Sequence, residues 1–223
     1  MKNRTNSQSS FELRINSMKY RQLFLSCAAF FTCSSSFAAT PALQSFLTCD
    51  DNSLAVINQP GLKERIPSTL ADGKMILSGG AKTEVGQRWL FDTPVTLNGI
   101  ALTGFFMEDQ NLMGSRIIGW GFYTQHAPDE LYVQLSKVPG SALESANGIY
   151  VRAQIWSPKQ SAWVPESGDE TAGKLVTDTA ERILMVEPAS PDVAKTSKGM
   201  ITCSVQGAVS PAMLKSTRPD LIN

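Results

Sequence analysis

Tyr150, Arg152, Gln154 and Trp156 alternate with Ile149, Val151, Ala153 and Ile155 along one short stretch of the chain. Side chains of an extended strand point to opposite faces with a period of two, so the aromatic-polar four share one face and the aliphatic four share the other. Trp163 follows the turn Ser157-Pro158-Lys159-Gln160 and falls on the aromatic side. Rings interleaved with hydrogen-bonding groups stack on sugar rings or grip a protein surface, because aromatic side chains bring large contact area at low entropic cost. The competing role for such a ladder is a second core layer under a helix, with Arg152 reaching past it to solvent.

Groups for catalysis are scarce. His126 is the only histidine, which removes paired-histidine zinc helices and narrows acid–base chemistry. Asp129 lies three residues further on, but no Gly-x-Ser-x-Gly elbow provides the nucleophile of a Ser-His-Asp triad. Glu84, Asp92, Glu108 and Asp109 surround the first hairpin, and two carboxylates at the right separation are the equipment of a glycoside hydrolase. Gly79-Gly80-Ala81-Lys82-Thr83 lacks the spacing of a phosphate loop and reads as a turn. Asp50-Asp51 is not continued by the oxygen-rich spacing of a calcium loop and reads as a helix cap. No cofactor and no metal are expected.

The elements that must position these groups are mostly hairpins. Pro94 to Leu97 and Ile100 to Thr103 alternate strictly on either side of Asn98-Gly99, the strongest short hairpin signal. Val95, Leu97, Ile100 and Leu102 then form a buried face, and Gly104 to Met107 carries the second arm towards an acidic turn at Glu108-Asp109. Arg116 to Tyr123 reads as a strand with Ile118, Trp120 and Phe122 on one face. Gly119 and Gly121 occupy the other, where something approaches the backbone closely. Pro128-Asp129-Glu130 opens a helix carrying Leu131, Leu135 and Val138, stopped by Pro139-Gly140. A second Asn-Gly, Asn147-Gly148, precedes the ladder strand. Pro165 to Gly173 is a polar loop, Arg182 to Val186 a strand, Ser190-Pro191-Asp192 the start of a short helix ending at Gly199, and Met200 to Val205 a closing strand. Ser45 to Cys49 reads as a short first strand, followed by a capped helix bearing Leu54, Val56 and Ile57.

Four cysteines are present. From Met18 the chain runs from a basic start through the apolar Leu23 to Phe31 and exits on Ser36-Phe37-Ala38, the signature of a secretory signal peptide. Residues 1–39 are therefore expected to be a leader with an extended polar start, cleaved after Ala38 or Ala39. Cys27 and Cys33 belong to it, and Phe24 and Phe30 stand where a lipoprotein box wants Leu. Cys49 and Cys203 remain, and an even pair in an exported chain is most simply one disulfide. It would close a loop worth on the order of 4–5 kcal/mol in chain entropy.

Composition sets the outer bounds. With 223 residues, 42% hydrophobic, 18% charged, and Lys+Arg 20 against Asp+Glu 20, the chain is not a basic nucleic-acid binder, a charged disordered chain or a multi-span membrane protein. Removal of the leader leaves 15 basic and 19 acidic side chains, a net of minus four. The expected fold is α+β, a mainly antiparallel sheet built from hairpins with two to four short helices and one disulfide tying the N- and C-terminal segments. Residues 40–223 form a single domain, with a hint of two similar lobes at about 40–140 and 141–223. The expected function is that of an exported periplasmic or secreted binding module, an inhibitor or accessory factor without enzymatic activity. Its partner is a protein or glycan of the cell envelope or host, with no nucleic acid and no transmembrane anchor in the mature chain. The contact residues are Tyr150, Arg152, Gln154, Trp156 and Trp163. The alternatives are a carbohydrate-active hydrolase with paired carboxylates and a structural component of envelope assembly.

Overall fold

A computed structural model describes residues 41–166 and 179–222. The expected leader and the polar loop from residue 167 onward lie outside the described residues. The chain opens with helix α1 (Pro41–Leu47) and a 3₁₀ turn (Ser53–Asn58), then a hairpin of β1 (Ser68–Ala71) and β2 (Lys74–Leu77). Strands β3 (Ala81–Lys82), β4 (Gly86–Leu97), β5 (Ile100–Leu112) and β6 (Ser115–Thr124) follow, then helix α2 (Pro128–Leu135). Strands β7 (Glu144–Ala146), β8 (Ile149–Ser157), β9 (Ala162–Pro165) and β10 (Ala180–Pro188) lead through a 3₁₀ turn (Pro191–Val193) to β11 (Gly199–Gly207). Helix α3 (Pro211–Lys215) and a last 3₁₀ turn (Pro219–Leu221) complete the described chain.

Among the described residues, β3 to β11 form one nine-stranded sheet in the order β3-β4-β5-β6-β11-β10-β8-β7. Strand β9 pairs with β8 on the same side as β7, the two lying end to end along it. Every pairing is antiparallel, so the architecture is sheet-rich with few helices. The order is symmetric about the β6–β11 pair: β4-β5-β6 leads into α2, and β8-β10-β11 leads into α3. Asn98 and Gly99 turn β4 into β5 with φ of 51° and 80°, as a type I′ turn requires, and Asn147-Gly148 does the same for β7 and β8.

One face of the sheet is covered. Register places Trp120 opposite Cys203, Cys203 opposite Leu184, and Leu184 opposite Arg152, so these four side chains share that face. Leu43, Phe46 and Leu47 of α1, Leu131 and Leu135 of α2, and Met213 and Leu214 of α3 close over it in one buried cluster. Phe46 meets Phe122 edge-on at 5.0 Å, and Phe122 lies 4.9 Å from Phe105. Each such ring contributes roughly 1.5–3 kcal/mol by leaving water. Cys49 and Cys203 form the disulfide, with Cα atoms 5.5 Å apart and 154 residues between them in sequence.

Four local expectations are corrected. Ser45 to Cys49 is not a strand. Leu43, Phe46 and Leu47 repeat at helical spacing and bury as the inner stripe of α1, and Cys49 follows at φ 54°. The disulfide therefore pins a helix end onto the sheet's face rather than joining two neighbouring strands. Asp50 and Asp51 do not cap the next element: Asp50 Oδ1 accepts from the Asn52 amide in a local turn. The second arm of the first hairpin does not turn at Glu108-Asp109 but continues to Leu112, and the chain reverses at Met113-Gly114 with φ of 50° and 87°. The segment after Ser190 is a single 3₁₀ turn rather than a helix reaching Gly199.

Candidate functional site

The ladder of β8 forms as its alternation requires, and it lies on the covered face. Arg152 extends its guanidinium to the carbonyl of Leu47 at the end of α1, at 2.6 Å, and to the carbonyl of Gly140. Gln154 Oε1 accepts two bonds from Arg182, at 2.9 and 2.6 Å. The Arg182 guanidinium in turn lies 5.2 Å above the Trp163 ring. Burial, the neighbouring Arg152 charge and the opposing pull of Asp50 leave Arg182 lowered to about 10, still a cation at neutral pH. Trp156 is 8% exposed and meets Trp163 edge-on at 5.3 Å. Trp163 Nε1 donates to Ser216 Oγ beyond α3 at 2.9 Å. Arg152 and Trp163 thus tie the sheet to its cover, and Gln154 and Trp156 brace them from within the sheet. Arg182 belongs to this network and was not foreseen, although Arg182, Leu184 and Val186 alternate in phase with the ladder.

Tyr150 stands at the border of the cover. Its ring stacks on Tyr132 of α2 at 4.2 Å and within 9° of coplanar, and its hydroxyl donates to Asp129 Oδ1 at 2.7 Å. That bond to a carboxylate holds the Tyr150 phenol above its ordinary pKa. A shallow cavity of about 350 Å³ opens beside the stack, with Tyr132, Ser136, Pro139, Gly140 and Leu143 in its wall. This volume lies at the lower end of the range for small-ligand sites. The Gly140 carbonyl in the rim is the one that Arg152 holds, so the ladder's cation fixes the cavity wall.

The opposite face of the sheet carries a different chemistry. Glu108 on β5 sits across from Gly119 on β6, where a Cβ would meet nothing nearer than the Glu108 side chain at 3.8 Å. Gly121 is filled instead: the Phe106 ring lies over it, 2.9 Å from where its Cβ would stand. Glu187 on β10 accepts from Thr202 Oγ1 at 3.4 Å. Burial raises the pKa of Glu187, offset by the Thr202 bond and reinforced by the Glu108 charge. Burial likewise raises Glu108, against the nearby Arg88. Arg88 pairs with Asp192 of the 3₁₀ turn and lies 5.4 Å from the centre of the Tyr123 ring. Val193, Phe106 and Tyr123 make a small second cluster there. Two half-buried acids on one glycine-floored surface are the nearest approach to catalytic equipment, and Glu187 was not among the carboxylates singled out in sequence.

The other candidates are accounted for locally. Asp109 is held by Arg116 in a two-pronged pair at 2.9 and 2.7 Å, Asp92 faces Arg65 at 4.0 Å, and Glu84 is exposed. His126 Nε2 accepts from the Ala101 amide at 3.2 Å while Nδ1 faces Gln134 at 3.3 Å. Asp129 serves Tyr150, so His126 and Asp129 are not joined in a triad. Gly80 is a glycine because Trp89 lies against it, 2.6 Å from where a Cβ would stand. Among the described residues no group of three or more His, Cys, Asp or Glu can hold a metal, and no helix is long and apolar enough to cross a membrane. No protein-family model, curated protein or solved structure matches the chain.

Proposed function

We propose that the protein is an exported binding module, periplasmic or secreted, that acts as an inhibitor or accessory factor on a protein or glycan of the cell envelope or host. Its contact point is the Tyr150–Tyr132 stack with the cavity beside it. The observation that carries this reading is the near-coplanar ring pair at 4.2 Å, whose Tyr132 lines a space of about 350 Å³. Such a pair is a rigid aromatic platform on which a sugar ring or an apolar side chain stacks with little loss of entropy. The disulfide supports export, since such bonds persist in oxidising compartments. Tyr132→Ala and Tyr150→Ala are expected to abolish capture of the partner in crosslinked envelope extract, and binding on a glycan array, with a melting temperature within a few degrees of the parent. A large stability loss with unchanged binding sinks the assignment.

A second reading rests on Glu108 and Glu187. Two acids held above the ordinary carboxylate range on one open surface suit a carbohydrate-active hydrolase, in which one must stay protonated. Turnover of a glycan panel that vanishes in Glu187→Gln or Glu108→Gln would establish it. Binding without turnover returns the argument to the module.

A further inference from the structure

Arg218, at the start of the last 3₁₀ turn, is 1% exposed. An arginine is almost never taken fully out of water unless it is paired. Its pairing is local: Nε and Nη2 donate to the two carboxylate oxygens of Asp220, two residues on, at 2.8 and 2.7 Å. That fork forms equally well at a surface, and burying it carries the desolvation cost of both charges. The guanidinium lies over the Trp120 ring of β6, 5.2 Å from its centre. Trp120 is itself fully buried, across from Cys203 of the disulfide. Among the described residues, Arg218 Nη1 and Trp120 Nε1 both lack a hydrogen-bond partner. A buried donor without an acceptor is costly, and two of them on side chains packed against each other call for a guest.

We infer that Arg218 and Trp120 form an internal binding site for a monatomic anion, chloride in ordinary saline. The donor set fixes the chemistry. Nη1 offers two N–H groups and Nε1 one, and neither side chain can accept. A guest held by them must therefore be an acceptor. A water brings protons that need acceptors of their own, whereas a halide brings none. Charge points the same way. The segment from 211 to 222 carries Lys215 and Arg218 against Asp220, and Lys74 of β2 donates to its Ile222 carbonyl at 2.6 Å. The Asp220 carboxylate occupies one edge of the guanidinium, which leaves Nη1 to a second, separate acceptor. Arginine suits this role because its planar cation is weakly hydrated and its donors are fixed in direction. Both side chains stand clear of solvent, at 1% and 0% exposure, which favours a small ion over phosphate or a ligand's carboxylate. The anion joins β6 to the C-terminal segment, which Ser216 also ties to Trp163 of the ladder. It acts on the hold of the cover and stands apart from the Tyr150–Tyr132 stack.

Crystals of the parent protein grown in sodium bromide test this without any substitution. An anomalous peak is expected between Arg218 Nη1 and Trp120 Nε1. A water or no peak at that point, or bromide confined to surface cations as an adventitious ion only, overturns the inference. A solution measurement stands beside it. Binding to the folded chain alone raises the melting temperature with ligand concentration, so the parent is expected to be stabilised by sodium chloride. Trp120→Phe keeps a ring in place and removes one N–H. Its chloride-dependent rise is expected to move to about tenfold higher salt, the worth of one hydrogen bond to a charged group. Salt curves that coincide for the two proteins overturn the inference as well.

Discussion

The two faces of one strand, β8, divide the protein. One carries Tyr150, Arg152, Gln154 and Trp156 and is covered; the other carries Ile149, Val151, Ala153 and Ile155, each half-buried and in neither buried cluster of the described residues. Hydrophobicity alone argues for the reverse. The covered face tolerates its polar groups because the cover brings partners for them: carbonyls at Leu47 and Gly140 for Arg152, and Ser216 for Trp163. Buried polar groups are stable where they are bonded, and a network of this kind fixes one arrangement of helices over the sheet. The aliphatic face needs no such partners and offers only area. Burial in this protein follows from what the flanking helices supply.

The strongest way to break the contrast is to release the cover. Cys49→Ala/Cys203→Ala removes a link spanning 154 residues, and about 5 kcal/mol of stability is expected to go with it by the loop-entropy relation. Chemical denaturation of the double variant reads this directly. A loss below about 1 kcal/mol would mean that the buried cluster alone holds α1 on the sheet.

Next in size, Trp156→Ala on the covered face is expected to cost about 3 kcal/mol, the range of an aromatic deletion in a core. Ile155→Thr, its immediate neighbour on the aliphatic face, is expected to cost under about 1 kcal/mol. Equal costs by denaturant titration would erase the distinction between the faces.

The smallest expected effect concerns pH. Burial holds Glu108 and Glu187 above their ordinary value of 4.5, so the folded chain binds their protons more tightly than the unfolded chain does. Stability from these groups is then fullest below the ordinary value and is lost as pH rises through the raised folded values. Glu187→Gln is expected to flatten that decline, seen as a smaller fall in melting temperature between acid and neutral pH. An unchanged slope would place the acid in a solvated setting.

Much of the sheet was legible because a period of two and an Asn-Gly pair are local properties. The β4–β5 hairpin and the face of Ile118, Trp120 and Phe122 follow from such signals, α2 from the proline and acids that open it, and the Cys49–Cys203 pair from the cysteine count. The α1 helix was less legible, since seven residues with three apolar positions fit a short strand nearly as well. Glu187 was invisible as a partner of Glu108 because β10 and β5 meet the same surface only through β11 and β6.

By itself the sequence determined which side chains of β8 stand together, since the geometry of an extended chain leaves no choice. It also left Cys49 and Cys203 as the expected pair once residues 1–39 were read as a leader. Only the tertiary structure decided which of the two faces would be covered. That depended on where Leu47, Gly140 and Ser216 came to lie, and the placing of those groups is a matter of strand order and helix docking that no local pattern encodes.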